Sequence, residues 1–237
     1  MKKVIIVGAS SGIGRHLALL YAQEGNKVGI TGRRGNMLQE IQHQFPDNIS
    51  IQKFDNTSDN ITLHLNQLIS KIGGLDLLIL SSGIGKINLK LDWNIEKEMI
   101  DLNVVAWTEI ADFVFHFFQH QKHGHLAAIT SIGSIRGEGR APAYNASKAF
   151  QVNYLEGLRK KSVYGKLNIL VTDIQPGFVR TAMAESYPRF WEASVEKAAQ
   201  QIFHAIEKKK KKVYITKRWW LIAHLLKVLP NGIYYKI

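Results

Sequence analysis

Short runs of apolar residues alternate along the chain with longer stretches in which apolar residues recur every three or four positions. The runs predict strands at residues 4–7, 27–31, 49–54, 75–80, 126–130, 167–174 and 212–216. The longer stretches predict helices at residues 12–24, 36–44, 59–71, 101–121, 143–164 and 195–208. Nearly continuous apolar strands are typical of a parallel sheet covered on both faces. We therefore expect an α/β fold with a doubly wound parallel sheet of about seven strands, flanked by helices.

No Pro/Gly/Ser-rich linker or internal repeat interrupts this alternation, so residues 1–237 are expected to form a single domain. The chain contains 46% hydrophobic and 21% charged residues, as ordinary globular proteins do. It has no cysteine, which excludes disulfides, thiolate metal sites and a cysteine nucleophile. Lys2 and Lys3 precede an apolar run too short for a signal peptide, and a cytoplasmic location is expected.

The net charge and a group of histidines bear on which ligands the protein could bind. A formal net charge of +12 favours anionic partners such as nucleotide phosphates, nucleic acid or acidic lipid. Nucleic acid is disfavoured because the chain has no recognition-helix or RNA-binding motif. His116, His120 and His123 have helical spacing and His125 follows them, but the chain has no cysteine to join them. A polar helix end is favoured over zinc, and no metal is expected.

Three glycines, Gly8, Gly12 and Gly14, lie between the first predicted strand and the first predicted helix. Glycine allows a tight turn and a close approach of ligand to backbone, and a helix N-terminus presents free N–H groups to a phosphate. This context indicates nucleotide binding rather than a merely structural turn. The spacing Gly-x-x-x-Gly-x-Gly resembles the glycine motif of the short-chain dehydrogenase/reductase family, with Val7 in place of its usual threonine.

The residues after the second predicted strand bear on the choice of dinucleotide. In NAD-binding folds of this type, an acidic residue about 20 residues after the glycines holds the ribose 2′-OH. No Asp or Glu lies between Glu24 and Glu40, and Arg33 and Arg34 follow the strand directly. A guanidinium pairs with a 2′-phosphate, and the missing carboxylate removes repulsion. The sequence favours NADP(H) over NAD(H), with two solvated loop charges as the alternative.

Further motifs extend the resemblance over about residues 4–182. Tyr144 and Lys148 match the family's Tyr-x-x-x-Lys pair, and Ser131 stands at the position of the family's serine, thirteen residues before the tyrosine. Asn103, in DLNVVA, matches the family's asparagine, and QPGFVRT contains its Pro-Gly pair. The sequence departs at LSSGIG, where the family often has Asn-Asn-Ala-Gly. This departure removes side-chain hydrogen bonds that commonly brace the central sheet.

The resemblance implies an oxidoreductase that transfers hydride between NADP(H) and a ketone or aldehyde, or the matching secondary alcohol. Tyr144 would be the general acid/base, and the Lys148 ammonium would favour its phenolate and hold the nicotinamide ribose. Ser131 would hydrogen-bond the substrate oxygen, and Asn103 would anchor a water-mediated proton path behind Lys148. The alternative is a catalytically silent NADP-binding sensor or scaffold, against which the presence of all four residues argues.

The resemblance also implies which residues contact the cofactor and the substrate. Residues 178–194 form the expected substrate lid, in which Met183, Tyr187 and Trp191, together with Ser131 and Tyr144, would contact a lipophilic or aromatic carbonyl compound. A short packed helix pair is the alternative for this segment. The expected cofactor contacts are Gly8, Ser10, Ser11, Gly12, Ile13, Gly14, Arg33, Arg34, Asp55, Asn56, Ser82, Gly83, Tyr144, Lys148, Pro176, Gly177, Val179 and Thr181.

Residues 217–237 form an apolar and basic C-terminal extension. Its nearly continuous apolar part, residues 219–229, cannot span a bilayer, which takes about 20 residues. Its tryptophans and flanking basic residues would suit peripheral contact with an anionic membrane surface. Packing on the protein's own sheet or on a partner subunit is favoured over membrane contact, and gating of the substrate site is the remaining alternative. The resemblance implies a homodimer or homotetramer paired through the helices at 101–121 and 143–164.

Overall fold

Seven parallel strands lie side by side in the order β3-β2-β1-β4-β5-β6-β7, in a computed structural model that describes residues 1–180 and 191–236. The chain runs outward from β1 to β3, then returns across β1 to β4 and continues to the other edge. This is the predicted doubly wound topology. The strands are β1 Lys3–Val7, β2 Lys27–Gly32, β3 Ile49–Lys53, β4 Leu77–Leu80, β5 His123–Ile129, β6 Asn168–Pro176 and β7 Lys212–Ile215.

Helices cover both faces of the sheet, and the central strands are therefore buried on both sides. One apolar cluster joins the strands to α3, α5 and α6, and the other joins them to α1, α2 and α7. Fully buried Phe115 and Phe118 on α5 contribute roughly 1.5–3 kcal/mol each to this packing. The helices are α1 Gly12–Gln23, α2 Gly35–Gln44, α3 Ile61–Ile72, α4 Trp93–Ile100, α5 Trp107–Gln121, α6 Pro142–Tyr164, α7 Val195–Glu207, α8 Arg218–Val228 and α9 Asn231–Tyr234.

The helix predicted from residue 101 begins earlier than its sequence pattern indicates. It begins at Trp93, where the side chain of Asp92 accepts a hydrogen bond from Asn94 N and caps the first turn. The pattern misses α4 because Met99 is its only buried residue. Residues Asp101–Ala106 then form a π-helical segment that connects α4 to α5 and contains Asn103.

The C-terminal extension forms α8 and α9, and it packs on its own chain. Trp219 and Ala223 face the protein and are buried. The opposite face of α8 exposes Trp220 and Leu225, each about half accessible to solvent. Among residues 1–180 and 191–236, no helix has both the length and the apolar character needed to cross a membrane.

Candidate active site

A cavity of about 890 Å³ lies at the carboxyl end of the sheet, where β1 and β4 are neighbours and the chain reverses its strand order. Open α/β sheets bind ligands at this switch point. The loops after six strands line the cavity, and side chains of α6, α8 and α9 complete it. The predicted glycine loop and the predicted Tyr–Lys pair therefore border one cavity.

The loop between β1 and α1 depends on glycine at two positions. Gly8 has φ +86°, and a Cβ on it would lie 2.6 Å from the main chain of Ser82 after β4. A Cβ on Gly14 would lie 2.3 Å from the carbonyl oxygen of Gly8. Both contacts are too short for a side chain, so the two glycines let the loop pack against β4 and against the first turn of α1.

Arg34 lies across this loop at the N-terminus of α1. Its Nη2 donates hydrogen bonds to Ser10 Oγ at 2.8 Å and to Ser11 Oγ at 2.7 Å. Arg33 Nη1 lies 3.6 Å from Asp55 Oδ2 at the end of β3. The first turn of α1 carries no acidic residue, so its free N–H groups and Arg34 create a positive environment. These groups fit the phosphates of a dinucleotide.

Ser131 and Tyr144 lie side by side on the other side of the cavity. Ser131 follows β5, and its hydroxyl accepts a hydrogen bond from Gly133 N at 3.0 Å. Tyr144 lies in the first turn of α6, which begins with Pro142. Burial raises the pKa of Tyr144, and a hydrogen bond with the Ser131 side chain opposes this rise. The phenol therefore keeps its proton at neutral pH.

Lys148 lies one helical turn after Tyr144 and is almost completely buried. Its Nζ donates to the carbonyl of Ile129 at 3.3 Å and to Gln151 Oε1 at 3.0 Å, and it lies 5.9 Å from the centre of the Tyr144 ring. Burial lowers the pKa of Lys148 to about 8, and the Asp173 carboxylate acts in the opposite direction. The ammonium is bound to carbonyl oxygens on its inner side, and burial rather than this ammonium controls the pKa of Tyr144.

Asn103 lies behind Lys148, and the cavity lining does not include it. Its side-chain oxygen accepts from Ile84 N at 3.0 Å, and its Nδ2 donates to the Ile84 carbonyl at 2.8 Å and to Ser147 Oγ at 3.1 Å. Gln151 Nε2 donates to the main-chain carbonyl of Asn103 at 2.8 Å. Asn103 thus braces the loop after β4, next to the serines that replace the family's asparagines.

Most of the site residues expected from the sequence border the cavity. Gly14 and Trp191 do not line it: Gly14 packs inside the loop, and the ring of Trp191 lies 5.9 Å from the guanidinium of Arg218. The expected contacts Thr181, Met183 and Tyr187 lie outside the described residues. Those that line the cavity are Gly8, Ser10, Ser11, Gly12, Ile13, Arg33, Arg34, Asp55, Asn56, Ser82, Gly83, Ser131, Tyr144, Lys148, Pro176, Gly177 and Val179.

The C-terminal extension forms an outer wall of the cavity that the sequence pattern did not assign. Trp219, Leu226 and Tyr234 line this wall. Arg136 anchors it, because its Nη1 donates to the carbonyl of Leu229 at 3.0 Å and its guanidinium lies 4.2 Å from the centre of the Tyr234 ring. No local pattern could reveal these contacts, since their partners lie more than 90 residues apart.

Known proteins share this sequence pattern and this fold. A family model described as short chain dehydrogenase matches residues 2–190. A protein of Myxococcus xanthus (strain DK1622), described as an uncharacterized oxidoreductase, is 30% identical over 245 residues, covering 98% of this chain and 94% of that protein.

Two solved structures have the same fold. A short chain dehydrogenase from Burkholderia cenocepacia J2315 in complex with NADP has a TM-score of 0.80 at 19% identity, covering 99% of this chain and 96% of that chain. A short chain dehydrogenase/reductase from Burkholderia phymatum in complex with NAD has a TM-score of 0.83 at 18% identity, covering 94% of this chain and 92% of that chain. These structures share the fold, while the family model and the Myxococcus xanthus relative identify the chain as an oxidoreductase that belongs to the short chain dehydrogenase family.

Proposed function

We propose that the protein transfers hydride between NADP(H) and a ketone or aldehyde, or the matching secondary alcohol. The observation that carries the proposal is the position of Ser131, Tyr144 and Lys148 around one end of the cavity, while the glycine loop and Arg34 lie at the other. A proton donor, a hydrogen-bond donor for the substrate oxygen and a dinucleotide site then border the same space.

Each of the three side chains has a separate role in reduction. NADPH, when bound, supplies the hydride that reaches the carbonyl carbon. Ser131 donates a hydrogen bond to the substrate oxygen and stabilises the negative charge that develops there. Tyr144 gives its phenolic proton to that oxygen, which completes the alcohol. Lys148 holds the nicotinamide ribose through its ammonium, and in alcohol oxidation Tyr144 accepts the proton as a phenolate.

We propose NADP(H) rather than NAD(H) as the cofactor, because Arg33 and Arg34 line the cavity after β2. Asp55 is the acidic side chain at this end, but it follows β3 and already lies beside Arg33. The loop after β2 therefore offers cations and no carboxylate to the ribose 2′ position. One of the similar solved structures is described as a complex with NADP and another as a complex with NAD, so affinity measurements decide this point.

The apolar part of the cavity supports a lipophilic substrate. Ile84, Ile132, Phe178, Trp219 and Leu226 line it together with Ser131 and Tyr144. Phe178 and Trp219 form an edge-to-face pair with ring centres 5.3 Å apart. A carbonyl group near Tyr144 could therefore carry an aliphatic or aromatic substituent that is removed from water on binding.

We expect NADPH oxidation when the full chain is mixed with lipophilic ketones or aldehydes. The measurement is the loss of NADPH absorbance across a panel of short polar, long-chain, aromatic and steroid-like carbonyl compounds. Burial of apolar substituents is expected to give higher kcat/KM for the larger members. Tight NADPH binding with no turnover on any member would support the silent sensor or scaffold and contradict the proposal.

A cytoplasmic location and a homodimer or homotetramer paired through α5 and α6 stay predictions, because a single copy of the chain is described.

Peripheral binding to an anionic membrane surface is a second proposal, supported by the outer face of α8. Trp220, Leu221, Leu225 and Val228 are exposed there, together with Lys217, Arg218 and Lys227, and residues 217–228 contain no Asp or Glu. A symmetric contact between two copies would bring these positive faces together, whereas anionic lipid would attract them.

We expect the full chain to co-sediment with vesicles containing anionic phospholipid at low salt, and to be released as salt is raised. The double variant Trp220→Ser/Leu225→Ser should reduce the bound fraction several-fold, because apolar burial contributes to interfacial binding. Leu63→Ser, at an exposed position of α3, is the matched control and should bind like the unmodified protein. Absence of binding to anionic vesicles would rule out this proposal.

A further inference from the structure

Gln151 is a completely buried amide that connects the proposed catalytic lysine to the preceding helix. It lies on α6, one turn after Lys148. Its Oε1 accepts a hydrogen bond from Lys148 Nζ at 3.0 Å, and its Nε2 donates to the main-chain carbonyl of Asn103 at 2.8 Å. A buried amide is costly unless its polar atoms are paired, and both ends of this one are paired.

The surroundings of Gln151 allow one orientation of its amide. If the oxygen and nitrogen were exchanged, Oε1 would face the carbonyl oxygen of Asn103 and Nε2 would face the ammonium of Lys148. Two acceptors would then meet at one end and two donors at the other. The amide therefore presents its acceptor to Lys148, and the Asn103 carbonyl holds it there.

This contact restricts the direction of the lysine ammonium. An ammonium has three N–H donors, and two of those on Lys148 are directed to the Ile129 carbonyl and to Gln151 Oε1. Lys148 also lines the cavity, so the remaining N–H is the donor available on the side of Tyr144 and the cofactor. An acceptor at Gln151 further favours the charged form of a lysine that burial would otherwise discharge.

We propose that Gln151 is a positioning residue, which holds the Lys148 ammonium charged and directed toward the cavity. The proposal rests on the function proposed above, because it gives Gln151 a role only if Lys148 takes part in the reaction. One of the two hydrogen-bond partners on the inner side of Lys148 is thus a side chain of the same helix, and the Asn103 carbonyl acts through it.

Few other ionisable groups face Lys148 within the described parts of the chain. Tyr144 does so from the same helix, and Asp173 does so from β6. Asp173 accepts hydrogen bonds from Thr130 Oγ1 and Gln175 Nε2, each at 2.7 Å. Burial raises the pKa of Asp173, while these bonds and Lys212 oppose the rise. Variants at Gln151 leave all of these groups in place.

The test compares two variants that should move the pH profile in opposite directions. With the pKa of Lys148 at about 8, NADPH-dependent reduction should fall as the pH rises through that value and the ammonium is lost. Gln151→Met keeps the length of the side chain but removes the acceptor, and it should shift this alkaline limb down by about one pH unit. Gln151→Glu keeps an oxygen acceptor and adds negative charge, and it should shift the limb up.

A second readout does not depend on turnover. In the protein without cofactor, NMR of isotope-labelled lysine follows the ionisation of Lys148, assigned by its absence in Lys148→Met. The Lys148 pKa should fall in Gln151→Met and rise in Gln151→Glu. Gln121→Met is the matched control, because Gln121 Nε2 also donates to main-chain carbonyls, those of Leu75 and His123, at the opposite end of the sheet. It should leave the Lys148 pKa unchanged.

Unshifted pH profiles and Lys148 pKa values in both Gln151 variants would overturn the proposal. A lower melting temperature without a pH shift would also overturn it, because that result is what a purely structural amide would give. Tyr144→Phe separates the two levels of inference. If the unmodified protein reduces no member of the carbonyl panel, the proposed function fails. If Tyr144→Phe turns over normally, the proton-donor role of Tyr144 fails. If Tyr144→Phe is inactive while the Gln151 variants keep the wild-type profile, only the positioning role fails.

Discussion

Tyr144→Phe is expected to lower kcat for NADPH-dependent carbonyl reduction by roughly 10²–10⁴-fold, the usual contribution of a general acid. The substitution keeps the ring on the first turn of α6 and removes only the hydroxyl beside Ser131. Hydride would still reach the carbonyl carbon, but the substrate oxygen would lack the acid that supplies its proton, and the Ser131 hydroxyl would only stabilise the negative charge there. The measurement is steady-state NADPH oxidation on the best substrate of the carbonyl panel.

Binding should change far less than turnover in this variant. The Kd of NADPH, followed by fluorescence, is expected to stay within about fivefold, because Lys148 and the glycine loop remain in place and a neutral hydrogen bond contributes about 1 kcal/mol. Tyr164→Phe, at the exposed end of the same helix, is the control and should keep wild-type kcat. Near-wild-type kcat in Tyr144→Phe would mean that another group donates the proton.

The sheet could be predicted from the sequence because its strands are buried on both faces. β4, with the sequence LLIL, is buried at every position and produces an uninterrupted apolar signal. α4 gives no comparable signal, since only Met99 among its residues is buried. The π-helical segment after α4 could not be predicted from the sequence either. Its geometry depends on how α4 and α5 pack on α6 rather than on a residue pattern.

The site was predictable to the extent that its residues are close in sequence or carry a family motif. Tyr144 and Lys148 are one turn apart, and Ser131 follows a strand whose end can be located. Gln151 has no such signal, because it reads as an ordinary polar residue of a long helix. Its partner Asn103 lies 48 residues away, and only the packing of α6 on the π-helical segment brings the two together.

The C-terminal extension shows the same limit of prediction from sequence, because its place in the outer wall of the cavity depends on long-range packing. From sequence alone, the apolar run around Trp219 is compatible with packing, which is favoured, and also with membrane contact or gating. The fold distinguishes the two faces of α8: Trp219 packs against Phe178 at the cavity, while Trp220 points away from the protein core. One helix can therefore supply part of the cavity wall and still present an apolar face to another surface.

Replacing both arginines after β2, in Arg33→Ala/Arg34→Ala, is expected to weaken NADPH binding by roughly 100-fold or more. A hydrogen bond to a charged group contributes about 1.5–3 kcal/mol, and each 1.4 kcal/mol changes Kd about tenfold. Arg34 should account for most of the loss, because its bonds to Ser10 and Ser11 already hold its guanidinium at the loop. A positioned guanidinium loses less conformational freedom when it binds a phosphate.

The Kd of NADH is expected to change by only a few-fold in the same variant, since NADH lacks the 2′-phosphate. The ratio of the two dissociation constants, measured by fluorescence titration, therefore isolates the phosphate contact from any general damage to the loop. Arg15→Ala is the control, because Arg15 lies on α1 with its guanidinium 3.4 Å from Glu40 and does not line the cavity. If both cofactors weaken equally, the arginines support the loop rather than the 2′-phosphate. Equal Kd values for NADPH and NADH in the unmodified protein would contradict the preference for NADP(H). They would mean that the arginines after β2 contribute no binding energy to the 2′-phosphate, the group that distinguishes the two cofactors.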